Sequence, residues 1–333
     1  MKKYIVGIDI GGTKCAITLG LRLDSSPEVD FEILEKICFH TEAHKGPDQV
    51  IERLINAIYK LLERRGLNAH QLLAIGISCG GPLDHEAGII KNPPNLYGWN
   101  NIPIVGIMEK EFGVKAFLQN DANACALAEW KYGAGKGCRN MVFLTCGTGL
   151  GAGLILNGRL YNGANDMAGE IGHIRMEKNG PVGFGKAGSF EGFCSGNGIA
   201  QLARAKVLEK LQMGERPSFC PDVESLEKLS AHCVAQAAKD GDPLAKEIYR
   251  ISGHYLGLGL SIIIDLLNPE AIILGSVYER SGGLMYEAMM EAIRQEALVT
   301  SRSCCKILPA KLGNSIGDYA TMTVALHGGN YEE

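Results

Sequence analysis

A chain of 333 residues is long enough for about two domains of ordinary size and too long for one small module. Hydrophobic residues at 46% and charged residues at 21% match ordinary soluble usage, which excludes a disordered tail-like chain and a collagenous one. Lys and Arg number 33 against 37 Asp and Glu, a net charge of −4 with no long run of either sign, so nucleic acid is not an expected partner.

In chain order, residues 4–9 read as a buried strand, Gly11-Gly12-Thr13 as a turn and residues 14–19 as the returning strand of a hairpin. A strand at 31–39 precedes a helix at 47–65, where Val50, Ile51, Leu54, Ile55, Ile58, Leu61 and Leu62 recur at helical spacing behind a proline. A strand at 72–78, the turn Gly80-Gly81-Pro82 and a proline-rich loop at 92–103 follow, then a helix at 103–112, a strand at 115–119 and a helix at 121–132.

The hairpin pattern then returns: a strand at 141–146, the turn Gly147-Thr148-Gly149 and a strand at 151–156, with Asn157-Gly158 as a further two-residue turn. Glycine-rich irregular sequence fills 162–195. Beyond it come helices at 197–212, 224–240, 243–267 and 283–296, a buried strand at 271–274 and a last helix at 318–327. The two hairpins read as a duplicated α/β architecture, and equally as coincidence between two glycine-rich turns.

Asp9 interrupts the apolar N-terminal stretch before a signal-peptide core forms, and the longest apolar run, 255–264, stops at Asp265, short of the roughly 20 residues a span requires. The 11 cysteines lack CxxC or paired-cluster spacing, as expected in a reduced, cytoplasmic setting without membrane attachment. The vicinal Cys304-Cys305 pair reads as buried packing.

Asp9-Ile10-Gly11-Gly12-Thr13-Lys14 puts a carboxylate at a strand end, then glycines that let backbone N–H groups approach an anion, then a hydroxyl and an ammonium. This is phosphate chemistry, although a plain hairpin turn has the same outline and Lys14 could equally face solvent. It is neither GxxxxGK[ST] nor GxGxxG before a helix. Gly147-Thr148-Gly149 offers a second cradle, or a tight turn. Asp121 opens a helix after Asn120, where the dipole favours an ionised carboxylate, so it reads as a helix cap or as a weak base suited to loose phosphoryl transfer. Asn95, Asn120, Glu170, His173 and Glu191 are the amide, carboxylate and imidazole groups that a polyol site uses to pair hydroxyls, or else loop-stabilising hydrogen bonders.

The segments DIGGTK at 9–14, GGPLD at 80–84, PNLYGWNNIP at 94–103, NDANACALAE at 120–129, GTGLGAGLILNG at 147–158, GEIGH at 169–173 and NPEAIILG at 268–275 together resemble the ROK (repressor, open reading frame, kinase) family. The resemblance implies the α/β actin-like, hexokinase-like (ribonuclease H-like) ATPase fold, with two α/β domains flanking a cleft. The smaller would comprise 1–119 plus 314–333, the larger 120–313. It implies a cytoplasmic, homodimeric sugar kinase using ATP and Mg²⁺, glucokinase-like, phosphorylating a hexose or N-acylhexosamine at the 6-hydroxyl. Asp9 would hold Mg²⁺ through water; Gly11, Gly12, Thr13, Lys14, Gly147, Thr148 and Gly149 would hold phosphates; Gly275 would border adenine. Asp121 would be the general base, with Gly81, Asn95, Asn120, Glu170, His173 and Glu191 around the sugar.

The family's CxCGxxGCxE segment, whose cysteines join the GxxGH histidine on a structural zinc, stands here as residues 182–191 with Val182, Phe184 and Ser189 in place of the thiols. No zinc is therefore expected, and apolar packing by Phe184 and Phe190 with a backbone carbonyl is expected to orient His173. The family's alternatives are a sugar-responsive transcriptional regulator, for which the sequence before Asp9 leaves no room for a helix-turn-helix, and a sugar-binding protein without turnover.

Overall fold

The structure is a computed structural model that describes residues 3–23 and 29–327. By contacts the chain forms two compact units, one of residues 1–139, 153–168 and 314–333, the other of residues 140–152 and 169–313. The expected boundary at 119/120 differs from this division because helix Asp121–Tyr132 packs on the terminal helix Ile316–His327 of the first unit. The outermost ends of the expected first domain, residues 1–2 and 328–333, lie outside the described residues.

The first unit opens with the expected hairpin. Strand β1 (Tyr4–Ile10) pairs antiparallel with β2 (Lys14–Arg22), closing at Ile10 opposite Cys15, and β3 (Phe31–His40) extends it antiparallel. Helix α1 (Pro47–Arg64) starts at a proline behind Gly46 and buries Val50, Ile51, Leu54, Ala57, Ile58, Leu61 and Leu62. Strand β4 (Leu72–Cys79), helix α2 (Ile104–Phe112), strand β5 (Lys115–Asn120) and helix α3 (Asp121–Tyr132) follow. The sheet order is β3-β2-β1-β4-β5, with β1, β4 and β5 parallel. One face packs on α1 and α2 through the main apolar core, and the other receives the terminal helix. There, Gly76 lies so close to Thr321 and Ala325 that no side chain fits.

A second sheet repeats this order. Strands β6 (Met141–Cys146), β7 (Leu150–Leu156) and β8 (Arg159–Leu160) supply the antiparallel side, and β9 (Ala271–Ser276) and β10 (Lys306–Pro309) the parallel side, in the order β8-β7-β6-β9-β10. Numbered within its own sheet, each runs 3-2-1-4-5, so the two hairpins are corresponding parts of one repeated topology.

Helices α4 (Phe190–Cys194), α5 (Gly196–Gln212), α6 (Ala231–Lys239), α7 (Pro243–Leu267), α8 (Val277–Glu296) and α9 (Val299–Cys304) complete the second unit. Helix α7 has the length and composition of a membrane span, but it packs against α4, α5, α6 and α8 and half of its most apolar stretch is buried, as in the core helix of a soluble domain. Two helix starts differ from expectation by more than two residues. α6 begins at Ala231, where the Ser230 hydroxyl caps Cys233 N–H, and α8 begins at Val277, so Gly282 and Gly283 lie inside a helix that tertiary packing maintains. Cys304 is exposed, contrary to the expected buried packing: it ends the short α9 with its thiol toward Asn268 and the carbonyls of Thr300 and Ser301.

Candidate active site

In the first unit, the β1–β2 turn is closed by the Gly11 N–H on Lys14 O at 3.1 Å and tied down by buried Thr41, whose hydroxyl donates to Gly11 O and whose N–H donates to Thr13 O. Thr13 and Lys14 are exposed. A Cβ on Gly12 would stand 2.7 Å from Asn95 Cβ and 2.8 Å from Asn95 O, so the glycine turn and the 92–103 loop touch here. The expected phosphate turn and the first expected sugar residue are therefore neighbours.

Asp9, at the end of β1, is pushed up to about 6, chiefly by burial, then by the Asp121 carboxylate, with Asp318 adding to the shift and Lys36 opposing it. Asp318 is a residue that sequence reasoning missed. It accepts from the Thr18 hydroxyl at 2.8 Å and pairs with Lys36 at 2.7 Å, and its neighbour Gly317 faces the Asp9 carboxylate. No local pattern marks it, because about 300 residues separate it from β1.

Asn120 is the N-cap of α3: its Oδ1 accepts from the N–H groups of Ala122 at 2.9 Å and Asn123 at 3.3 Å, which leaves its Nδ2 on the Gly81 side. Asp121 begins the helix beside Gly80, its Oδ1 accepting the Ala122 N–H at 2.8 Å. The sequence led to an expectation of a carboxylate stabilised in its ionised form. Instead, desolvation by the surrounding chain outweighs the backbone N–H and raises the Asp121 carboxyl from its usual value, although the residue keeps an exposed face, so the upward shift is modest in consequence and the placement of the carboxylate matters more.

In the second unit, Gly147-Thr148-Gly149 lies beside the start of α5, with Gly196 N–H on Gly147 O at 2.8 Å, and beside Ser276, which follows Gly275 at the end of β9. Gly275 is buried against Phe143. Glu191, near the start of α4, accepts the Leu150 N–H through Oε2 at 2.9 Å, so one of its oxygens braces the second glycine turn instead of standing open to a ligand. Glu170 and His173 are exposed on a single helical turn, whose Gly172 abuts Leu150 O.

The segment expected to pack around His173 is held differently. Phe190 is buried against Gly259, but Phe184 is 69% exposed, meeting His173 only edge-on with ring centroids 6.2 Å apart. No backbone carbonyl among the described residues pairs with the His173 ring; the contact runs the other way, with Lys186 Nζ donating to His173 O at 2.7 Å. Polar clamps take the place of the packing expected from Phe184. Gln201 brackets Val182 through its N–H at 3.0 Å and its carbonyl at 2.8 Å, Arg175 holds Ala187 O at 2.8 Å, and Ser189 caps α4 through Gly192 N–H at 3.1 Å. This residue set does not fit a tetrahedral zinc site. Cys194 is buried with its thiol toward Ser252 O, and among the described residues no group of three His, Cys, Asp or Glu is placed to hold a metal ion.

Two five-stranded sheets of one repeated order, each carrying a glycine–threonine turn after its first strand, define the actin-like, hexokinase-like class of ATPase fold. Within that class the chain belongs to the ROK family, whose model matches residues 5–325. It is 30% identical to the glucokinase of Halalkalibacterium halodurans over 317 residues, covering 95% of this chain and 92% of that one. A ROK family glucokinase from Streptomyces griseus, solved in complex with glucose and AMPPNP, superposes with a TM-score of 0.76 at 26% identity, covering 98% of this chain and 100% of that one. The xylose repressor of Caldicellulosiruptor bescii is 28% identical, over 92% of this chain and 74% of its own length.

Proposed function

We propose that the chain is an ATP- and Mg²⁺-dependent sugar kinase acting on a hexose or N-acylhexosamine at its 6-hydroxyl. The observation that carries this reading is the placement of Asp121: an accessible carboxylate at the head of a helix, beside the bare Gly80-Gly81 backbone and the Nδ2 of Asn120. A sugar hydroxyl held there attacks the γ-phosphorus. The new O–P bond forms as the bond to the β-phosphate oxygen breaks, the hydroxyl proton passes to Asp121, and ADP leaves.

Gly12 and Thr13 of the first turn, with exposed Lys14, and Gly147, Thr148 and Gly149 of the second turn supply backbone N–H groups and hydroxyls suited to phosphates, while Gly11 spends its own N–H on Lys14 O and keeps the first turn bare. Gly275 borders the base. Asn95, Asn120, the second oxygen of Glu191, Glu170 and His173 pair the remaining sugar hydroxyls, with Gly81 allowing close approach. The residues around Asp9 fit a hard cation, because a half-buried carboxylate crowded by Asp121 and Asp318 is relieved by positive charge. Bound there, Mg²⁺ would neutralise charge developing on the phosphates.

Coupled ADP assays with glucose, mannose, fructose, allose, N-acetylglucosamine and N-acetylmannosamine test the proposal. Sugar-dependent ADP release is expected with at least one, and release with none would refute it. The repressor likeness supports a second reading, a sugar-responsive regulator. Specific retardation of DNA together with no sugar-dependent ADP release would favour that reading.

A further inference from the structure

A chain of side-chain hydrogen bonds in the first unit runs from the base-bearing turn to a histidine that no role above uses. The Asn120 N–H donates to Gln119 Oε1 at 2.8 Å, which fixes which end of that buried amide is oxygen. Asn123 Nδ2 then donates to Gln119 Oε1 at 3.2 Å and to Asn162 Oδ1 at 3.0 Å. With its oxygen committed, Asn162 turns Nδ2 toward His85 Nε2 at 3.4 Å. His85 must accept there, so its proton sits on Nδ1, which lies 2.6 Å from Asp166 Oδ1, while the His85 N–H donates to Asp166 Oδ2 at 2.8 Å.

Each orientation forces the next. Turning the Asn123 amide over would set its oxygen against two other oxygens. Among the described residues, Gln119 Nε2 and Asn123 Oδ1 are buried with no protein hydrogen-bond partner. A buried network whose orientations are all fixed is suited to positioning, and its two ends show what is positioned. Asn120 and Asn123 flank Asp121, and Asp166 precedes Glu170 by four residues.

We infer that His85 and Asn162 are positioning residues for the sugar acceptor: they hold the Asn120–Asn123 turn, and with it the Asp121 carboxylate, in register with the acceptor hydroxyl. This rests on the kinase reading. It also explains why Asn123, in the first turn of α3, is a buried amide where an apolar residue would pack as well.

Two substitutions at His85 separate this role from simple anchoring of the 83–91 loop. Asparagine places an amide near the Nδ1 position and keeps the Asp166 bond while leaving Asn162 Nδ2 without an acceptor. Glutamine places its oxygen near the Nε2 position and keeps the Asn162 bond while losing the one to Asp166 from the side chain. With the sugar turned over best, His85→Asn should lower kcat/KM for sugar about tenfold with KM for ATP within about twofold, and His85→Gln should recover most of that loss. Equal losses in both variants, no loss in either, or a change shared equally with ATP would overturn the positioning role. If the wild type turns over none of the sugars, the kinase reading fails. The same variants are then compared by calorimetry with glucose, where equal affinities, or no binding even by the wild type, overturn this inference as well.

Discussion

Gly12→Ala tests the contact between the first phosphate turn and the sugar loop. The Gly12 backbone is not left-handed, so alanine suffers no conformational strain, and only space opposes it. Its methyl would lie 2.7 Å from Asn95 Cβ and 2.8 Å from Asn95 O, whereas carbon contacts settle at roughly 3.5–4.0 Å, so one partner must move by close to 1 Å. Asn95 cannot move alone: Leu96 beside it is buried and its N–H bonds Pro93 O at 3.0 Å, and Trp99 is wholly buried. Overpacking of this kind costs about 1–3 kcal/mol, and if it is expressed at the site, each 1.4 kcal/mol is about tenfold. The expected result is a fall of about 5- to 100-fold in kcat/KM for the sugar, with KM for ATP rising as well because the same turn serves both. Initial rates with each substrate varied at saturating levels of the other measure this, with a melting curve to confirm folding. A folded variant with both KM values and kcat within about twofold of wild type would refute the neighbouring of turn and loop.

Asp121→Asn should abolish phosphorylation while sugar affinity stays within about tenfold, and near-native turnover would remove Asp121 from the role of base. The acid limb of kcat/KM should lie above the ordinary carboxylate range of about 4, because Asp121 must be ionised to act and desolvation by the surrounding chain raises it; a limb at or below that range would contradict this. For Asp9 the folded value of about 6 exceeds the ordinary 3.8, so its stabilising contribution is present below about pH 4 and is lost as pH rises through about 6. Asp9→Asn should therefore stabilise the metal-free protein by up to about 3 kcal/mol near pH 7 and much less near pH 4, as read by urea unfolding in chelator; equal offsets at both pH values would refute it. Purified protein should retain no stoichiometric zinc after dialysis.

Local chemistry makes much of the site legible in the order of the residues. Glycine pairs between β-branched runs mark both hairpins, since only a residue without Cβ fits where Gly12 meets Asn95. The Asn-Asp step at 120–121 marks the helix start, although the cap falls to Asn120. At α8 the local signal misleads: Gly282 and Gly283 look like a beginning, but buried contacts of Val277, Tyr278 and Ser281 sustain a helix through them. The 182–191 segment misleads in another way. Its lost thiols suggest replacement by aromatic packing, which Phe190 provides, whereas Phe184 stays exposed and hydrogen bonds from Gln201 and Arg175 hold the rest.

What the sequence settled by itself was whatever depends on neighbours within a few residues: the two turns, the strand and helix periods, and the presence of Asp9 and Asp121 at strand and helix ends. Tertiary structure alone decided their electrostatics and their partners. Asp318 reaches the surroundings of Asp9 from the far end of the chain, Glu191 braces Leu150, and Asn162 joins Asn123 to His85. Charge interaction and desolvation depend on distance through space, and spacing along the chain carries no record of which distant groups the fold brings together.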